Sequence, residues 1–199
     1  MHHKITMNAG ALNAGLARRE ALKAGGMGVL SVAAIGILAG EPTMAKAAAS
    51  SADADILNVA LGLEHEAIAA YQIGAESGLL QKPVLDAAVL FQSHHKAHRD
   101  ALIAAIGKLG GTPVAAKSTS DYVASLDIAS VKSQTDVLRL ARKLERGAAN
   151  AYIGVIPSFK NVAYAQISAR LAADETMHWT VLTQVLGDAL PTQALSFGA

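Results

Sequence analysis

The nine-residue pattern Leu-Glu-x-x-Ala-x-x-Ala-Tyr occurs twice in this chain, at residues 63–71 and again at 144–152. Each copy is followed, one helix further on, by a polar residue and a histidine three positions apart: Gln92 with His95, then Glu175 with His178. A helix that offers one glutamate, followed by a helix that offers a carboxylate or amide and a histidine one turn apart, is half of a two-metal site. Two such halves complete it, and the duplication is the first reason to expect bound metal.

The length of 199 residues fits one domain with a full hydrophobic core. Apolar residues make up 52% and aromatics only 4%, so the interior must be built from Ala, Leu, Val and Ile, as in closely packed helices. The net charge of +1 conceals an asymmetry. Residues 1–47 hold five basic groups (Lys4, Arg18, Arg19, Lys23, Lys46) and two acidic ones (Glu20, Glu41), which leaves 17 − 5 = 12 basic against 16 − 2 = 14 acidic for the rest. A nearly neutral body without a basic stripe argues against nucleic-acid binding. The absence of cysteine excludes disulfides, thiolate zinc sites, iron–sulfur clusters and cysteine nucleophiles together.

Residues 1–47 are expected to be an export signal, cleaved to leave a domain over 48–199. Arg18-Arg19 precedes Leu22-Lys23 and an uncharged run over 24–40, and Ala45-Lys46-Ala47 offers an A-x-A cleavage point with Ala48 as the new terminus. The paired arginines resemble a twin-arginine (Tat) signal, although that family often has Ser before the arginines and Phe where Ala21 stands. The resemblance implies a Tat translocase partner, export of an already folded protein, and a periplasmic location. A retained anchor is the alternative, but an apolar run of about 17 residues falls short of the roughly 20 that span a bilayer. Folding before export would let the protein take iron or manganese in the cytoplasm, before it meets more tightly binding copper.

The fold class is expected to be all-α. Four long helices are predicted, over 53–77, 83–109, 133–156 and 158–186, with Ser51 or Asp53, Pro83 and Ser133 as start signals and Gly78, Gly110 and Gly187 as stops. Asp136, three residues after Ser133, resembles half of a capping box. Short connections make each successive pair an antiparallel hairpin, whereas residues 110–132 are long enough to travel the length of a bundle and to hold a short helix near 122–126.

On these helices Leu57, Leu61, Glu64, Ile68 and Tyr71 share one face, as do Leu138, Ala141, Glu145, Ala148 and Tyr152. The same spacing aligns Leu171, Glu175, His178 and Leu182, and aligns Gln92, His95, Leu102 and Ile106 with Arg99 as an interruption. A lone buried carboxylate costs several kcal/mol or stays protonated. Three glutamates and two histidines at one bundle level therefore need a common partner; a buried hydrogen-bond network without metal, or glutamates on wider, partly solvated faces, is the alternative. A pair of divalent cations, iron or manganese, suits carboxylate and imidazole donors.

Glu64, Gln92-x-x-His95, Glu145 and Glu175-x-x-His178 resemble the ligand set of ferritin-like di-iron carboxylate proteins. The stretches 63–71, 95–102, 110–113 and 144–152 are similar, more narrowly, to bacterial exported ferritin-like domains. The resemblance covers about residues 53–187. It implies an antiparallel four-helix bundle with a long crossover between its second and third helices, and metal at Glu64, Gln92, His95, Glu145, Glu175 and His178. It implies redox chemistry of the ferroxidase or peroxide-handling kind, with Glu145 or Glu175 as a bridging carboxylate. This chain departs from that pattern at Gln92, where the family has Glu. An amide brings no charge, so the second metal position is expected to be weaker or empty.

Glu66 lies about 200° around its helix from Glu64 and is not expected to share the site. His94 and His98 are expected to be half-exposed on a helix flank, with His98 as a spare ligand or proton carrier in the alternative. His65 is expected to face another helix or solvent. Tyr71, Tyr152 and Trp179 are expected to be core packing, with hydrogen bonds to groups behind the ligands, or one-electron chemistry, as the other roles for the tyrosines. A monomer or homodimer is expected. The rival to a redox protein is a non-enzymatic bundle of the cell envelope that has lost tight metal binding through Gln92.

Overall fold

A computed structural model describes residues 51–198, so the expected export segment and its cleavage point lie outside the described residues. The described residues form α-helices and two short 3-10 turns, with no strand. The helices are α1 (Ala52–Glu76), α2 (Lys82–Lys108), α3 (Thr119–Ser125), α4 (Gln134–Val155) and α5 (Val162–Val185). Here α1, α2, α4 and α5 are the four rods and α3 lies in the crossover. None of them is long and apolar enough to cross a membrane.

The ends are set by local chemistry. The Ser51 hydroxyl accepts the Ala54 N–H at 3.2 Å, capping α1, and Gly78 supplies the left-handed residue (φ 71°) that turns the chain toward α2. Pro83 stands in the first turn of α2, where its missing N–H costs nothing. Ser133 caps α4 by accepting from Asp136 N–H. The Asp136 carboxylate answers the Lys132 N–H rather than that of Ser133, so the box is displaced by one residue. At the last helix the expected start is early by four residues. Ile156–Ser158 forms a 3-10 turn around Pro157, and α5 begins only after Asn161, whose side chain accepts the Ala163 N–H.

α1 packs against α2 and α4 against α5 as antiparallel hairpins. The crossover runs back along the bundle and is stitched to α1: Asn58 donates to Thr112 O and accepts Val114 N–H, and His65 Nε2 meets Val114 O at 3.1 Å. Gly111 permits this close approach, since a Cβ there would meet Ile106 and Ala54 at 3.0 and 3.1 Å. The α3 turn carries a capping box of Ser118 and Asp121 and buries Tyr122.

The core has two apolar layers. One contains Leu57, Leu61, Leu102, Ile106, Tyr152 and Leu171; the other contains Tyr71, Phe91, Leu138 and Leu182. Along each rod the expected polar positions fall between a residue of one layer and a residue of the other: Glu64 between Leu61 and Tyr71, His95 between Phe91 and Leu102, Glu145 between Leu138 and Tyr152, and Glu175 and His178 between Leu171 and Leu182. The polar groups thus occupy the middle of the bundle, with hydrocarbon above and below.

Candidate metal centre

Glu64, His95, Glu145, Glu175 and His178 are all buried, at 0–2% exposure. The helical period explains this, since each lies on the apolar stripe of its rod. His95 joins two halves of the cluster: Nδ1 lies 2.8 Å from Glu64 Oε2 and Nε2 lies 3.2 Å from Glu145 Oε1. His178 Nδ1 lies 3.3 Å from both Glu145 Oε2 and Glu175 Oε2.

His98 belongs to the same cluster, which corrects its expected place on an exposed flank. It is 7% exposed, with Nδ1 3.2 Å from Glu175 Oε1 and 3.4 Å from Glu64 Oε1, and Nε2 3.1 Å from Asp174 Oδ2. The signal was present in the sequence. His98 follows His95 by three residues, and neighbours at that spacing share a helix face.

Gln92 is buried but turned elsewhere. Its Nε2 donates to Ile68 O at 3.1 Å and to Gln72 Oε1 at 2.8 Å, and its Oε1 accepts from Lys96 Nζ at 2.8 Å. The amide is satisfied along the α1–α2 seam and faces no cluster carboxylate or imidazole in these bonds. Glu66 lies on the seam between α1 and α4 and is not in the cluster. His94 is half-buried, with Nδ1 2.9 Å from His178 Nε2.

The two tyrosines of the repeated motif are exchanged between the halves. Tyr71, from the first copy, donates to Glu145 Oε1 of the second, and Tyr152, from the second, donates to Glu64 Oε1 of the first at 2.5 Å. Burial and the neighbouring carboxylates push both phenols well above their usual pKa, so they remain donors. Phe91 stacks on His178 at 4.1 Å between ring centroids. Trp179 is packed, with the Phe197 ring edge-on to it and the Arg146 guanidinium over its face.

The electrostatics follow from packing ionisable groups so closely. Burial works against charge on His95, but hydrogen bonds to Glu145 and Glu64 outweigh it and push the pKa up to about 10. Burial likewise opposes charge on His98, and the adjacent Glu175 and Glu64 push it up to about 10. His178 is raised against its burial by Glu145 and Glu175. Burial alone would raise both Glu64 and Glu145, but His95 and His98 hold Glu64 below the usual carboxylate range, and Glu175, then His178 and His95, hold Glu145 below it. Glu175 is raised, by burial first and by Glu145 second. Three raised imidazoles therefore face two lowered carboxylates and a third, Glu175, that is raised.

That pairing leaves a remainder. Both oxygens of Glu175 and Nδ1 of His98 are buried and make no hydrogen bond, although imidazoles lie close to them. A buried carboxylate whose two oxygens are unpaired is costly. The donors fall into two overlapping groups, Glu64–His95–His98–Glu175 and His95–Glu145–Glu175–His178. Within each, one ligand atom per residue lies within 4.8 Å of the others. Glu175 and His95 are common to both. Carboxylate oxygens and imidazole nitrogens are the donors that suit iron, manganese or zinc, and the orphaned Glu175 oxygens are what a cation would satisfy.

The family model for the ferritin-like domain matches residues 52–188. Among solved structures, the chain is similar to a conserved hypothetical protein, rv2844, from Mycobacterium tuberculosis. That likeness has a TM-score of 0.59 and 26% identity, and it covers 72% of this chain and 96% of that one. No curated protein matches the chain.

Proposed function

This chain belongs to the ferritin-like domain family, and on that premise we propose that it is an exported metalloprotein whose buried cluster holds two iron or manganese ions for redox chemistry. The observation that carries this reading is the pair of four-donor groups sharing His95 and Glu175, with both Glu175 oxygens unpaired. We assign Glu64, His98 and Glu175 to one ion and Glu145, Glu175 and His178 to the other, with His95 completing either. Gln92 is left outside, because its amide is already satisfied. When bound, such a pair supplies one-electron chemistry toward oxygen, peroxide or a further ferrous ion.

The chain's own residues prepare the site. Tyr71 and Tyr152 hold one oxygen of Glu145 and of Glu64, which orients the carboxylates. His94 and Asp174 engage the outward nitrogens of His178 and His98 and so fix which nitrogen faces the cluster. Phe91, Leu138, Leu102 and Tyr152 exclude water from above and below. Three carboxylates leave the pair with net positive charge, which favours an anionic ligand or co-substrate.

The test is elemental analysis of full-length protein purified from cytoplasm. About two ions per chain, lost in a Glu145→Ala/Glu175→Ala variant, is the expected result. A protein purified without bound metal would leave the rival reading, a non-enzymatic bundle. The hydrogen bonds from His95 to Glu64 and Glu145 and from His178 to Glu145 favour that rival. Export by the twin-arginine route, with cleavage before Ala48, is tested by fractionation and N-terminal mass; Arg18→Lys/Arg19→Lys should retain the protein in the cytoplasm.

A further inference from the structure

The cluster is enclosed on most sides, so an ion needs a way in. Two clefts reach it. One, of about 220 Å³, lies between α1 and α4 and touches His95 and Glu145; its remaining walls are Leu63, Ala67, Leu144 and Ala148, with Glu66 and Lys143 beside them. The other, of about 360 Å³, lies between α2 and α5 and is lined by His94, Ala97, His98, Ala101, Arg170 and Asp174, among others. The α2 and α5 backbones approach one another over a shorter stretch than those of α1 and α4, so this seam is the looser one.

We propose that the α2–α5 cleft is the port through which divalent cations reach the buried cluster, with Asp174 and His94 as its outer ligands. The inference rests on the metal-binding reading above. Its basis is a graded series of donors. The Asp174 carboxylate is 49% exposed at the cleft mouth; its Oδ2 lies 3.1 Å from His98 Nε2. The His98 side chain is 9% exposed, and its other nitrogen lies 3.2 Å from Glu175 Oε1, which is fully buried. One ring thus spans the distance from a solvated carboxylate to an inner ligand.

His94 repeats the relation beside it, with its Nδ1 2.9 Å from the outward nitrogen of His178. His95, by contrast, has both nitrogens turned inward, to Glu64 and Glu145. The cluster's outward-facing donors therefore converge on the α2–α5 cleft. A hydrated cation gives up its water in steps, and successive oxygen and nitrogen donors replace that water without an uncompensated stage. The small side chains of Ala97 and Ala101 leave the passage open. Arg170 shares the wall, just as Lys143 shares the other cleft, so the presence of a basic residue does not separate them; the chain of donors does.

The test is stopped-flow uptake of Co²⁺ by full-length protein stripped of metal, followed by the cobalt absorbance. Ala97→Trp blocks the α2–α5 cleft from an exposed position without altering any ligand. Gly147→Trp does the same for the α1–α4 cleft, which Gly147 lines, and a Cβ at Gly147 meets nothing within 4 Å. Asp174→Asn removes the steering charge. Ala97→Trp should slow uptake by about tenfold at low salt with final cobalt per chain unchanged, Asp174→Asn should slow it at low salt as well, and Gly147→Trp should match the wild type. Slowing by Gly147→Trp, or wild-type rates in Ala97→Trp, would overturn the port. Should Asp174→Asn lower the final stoichiometry by releasing His98, Ala97→Trp still decides. A wild-type chain that takes up no cobalt overturns the metal reading as well, and is distinguishable from a slowed one.

Discussion

The crossed tyrosines set the stakes at single residues. Tyr152→Phe leaves Glu64 Oε1 without its buried donor, and Tyr71→Phe does the same to Glu145. Each should cost about 1–3 kcal/mol in urea unfolding of the metal-free protein, the range for stranding a buried polar group. The ionisable groups predict a pH profile for the same protein. His95 and His98, raised to about 10, add stability that is fully present below their usual value of 6.5 and is lost as pH rises through about 10. Glu64 and Glu145, held low, add stability that is present above 4.5 and is lost as pH falls below it. Glu175, raised, runs opposite to the other two carboxylates. Melting temperature should therefore decline between neutral pH and about 10 without metal, and a flat profile over that range would contradict the imidazolium–carboxylate pairing. With metal bound the imidazoles are already deprotonated, and the decline should shrink.

At the scale of helices, most of the site was legible because the 3.6-residue period fixes which face a residue occupies. Glu64, His95, Glu145, Glu175 and His178 were placed by that rule. Gln92 sits on the same face, yet period says nothing about the last torsion of a long side chain, and its amide found Ile68 and Gln72 instead. His98 lies about 60° around the helix from His95, at the stripe's edge, where period alone does not decide burial. The start of α5 is not legible in the sequence, because Pro157 can open a 3-10 turn as well as a helix. Asp53 reads locally as a cap for α1, a role that Ser51 takes instead, and nothing local points to its distant partners. It is buried, and its carboxylate accepts the N–H groups of Lys160 at 2.7 Å and Asn161 at 2.9 Å, across 107 and 108 residues of sequence. Asp53→Ala should cost about 1–2 kcal/mol, as removal of a helix-start acceptor does, with faster amide exchange at Lys160 and Asn161 as the local readout. Normal protection there would contradict this tie between α1 and the head of α5.

Across the whole molecule, the apolar layer on the α1–α2 turn side is incompletely filled. A cavity of about 290 Å³ lies among Ala70, Gly74, Ala88, Leu138, Ala141 and Val181, beyond Tyr71 and Phe91. Ala141→Leu should raise the melting temperature by adding buried methylenes at about 0.8 kcal/mol each, with metal content unchanged; a lower value would show that this layer cannot accept the volume. The hairpin–crossover–hairpin order followed from loop lengths, but the stitching of residues 112–114 to Asn58 did not, because it pairs backbone with a side chain far away in sequence. The exchange of phenols between the repeats carries a consequence for ancestry. Neither hairpin owns the hydroxyl that its own acid needs, so a lone one would be half-equipped. Two identical copies facing each other about a twofold axis would supply both with a single sequence. Such a self-pairing unit, duplicated and joined end to end, would have the hairpin–crossover–hairpin order of the present chain.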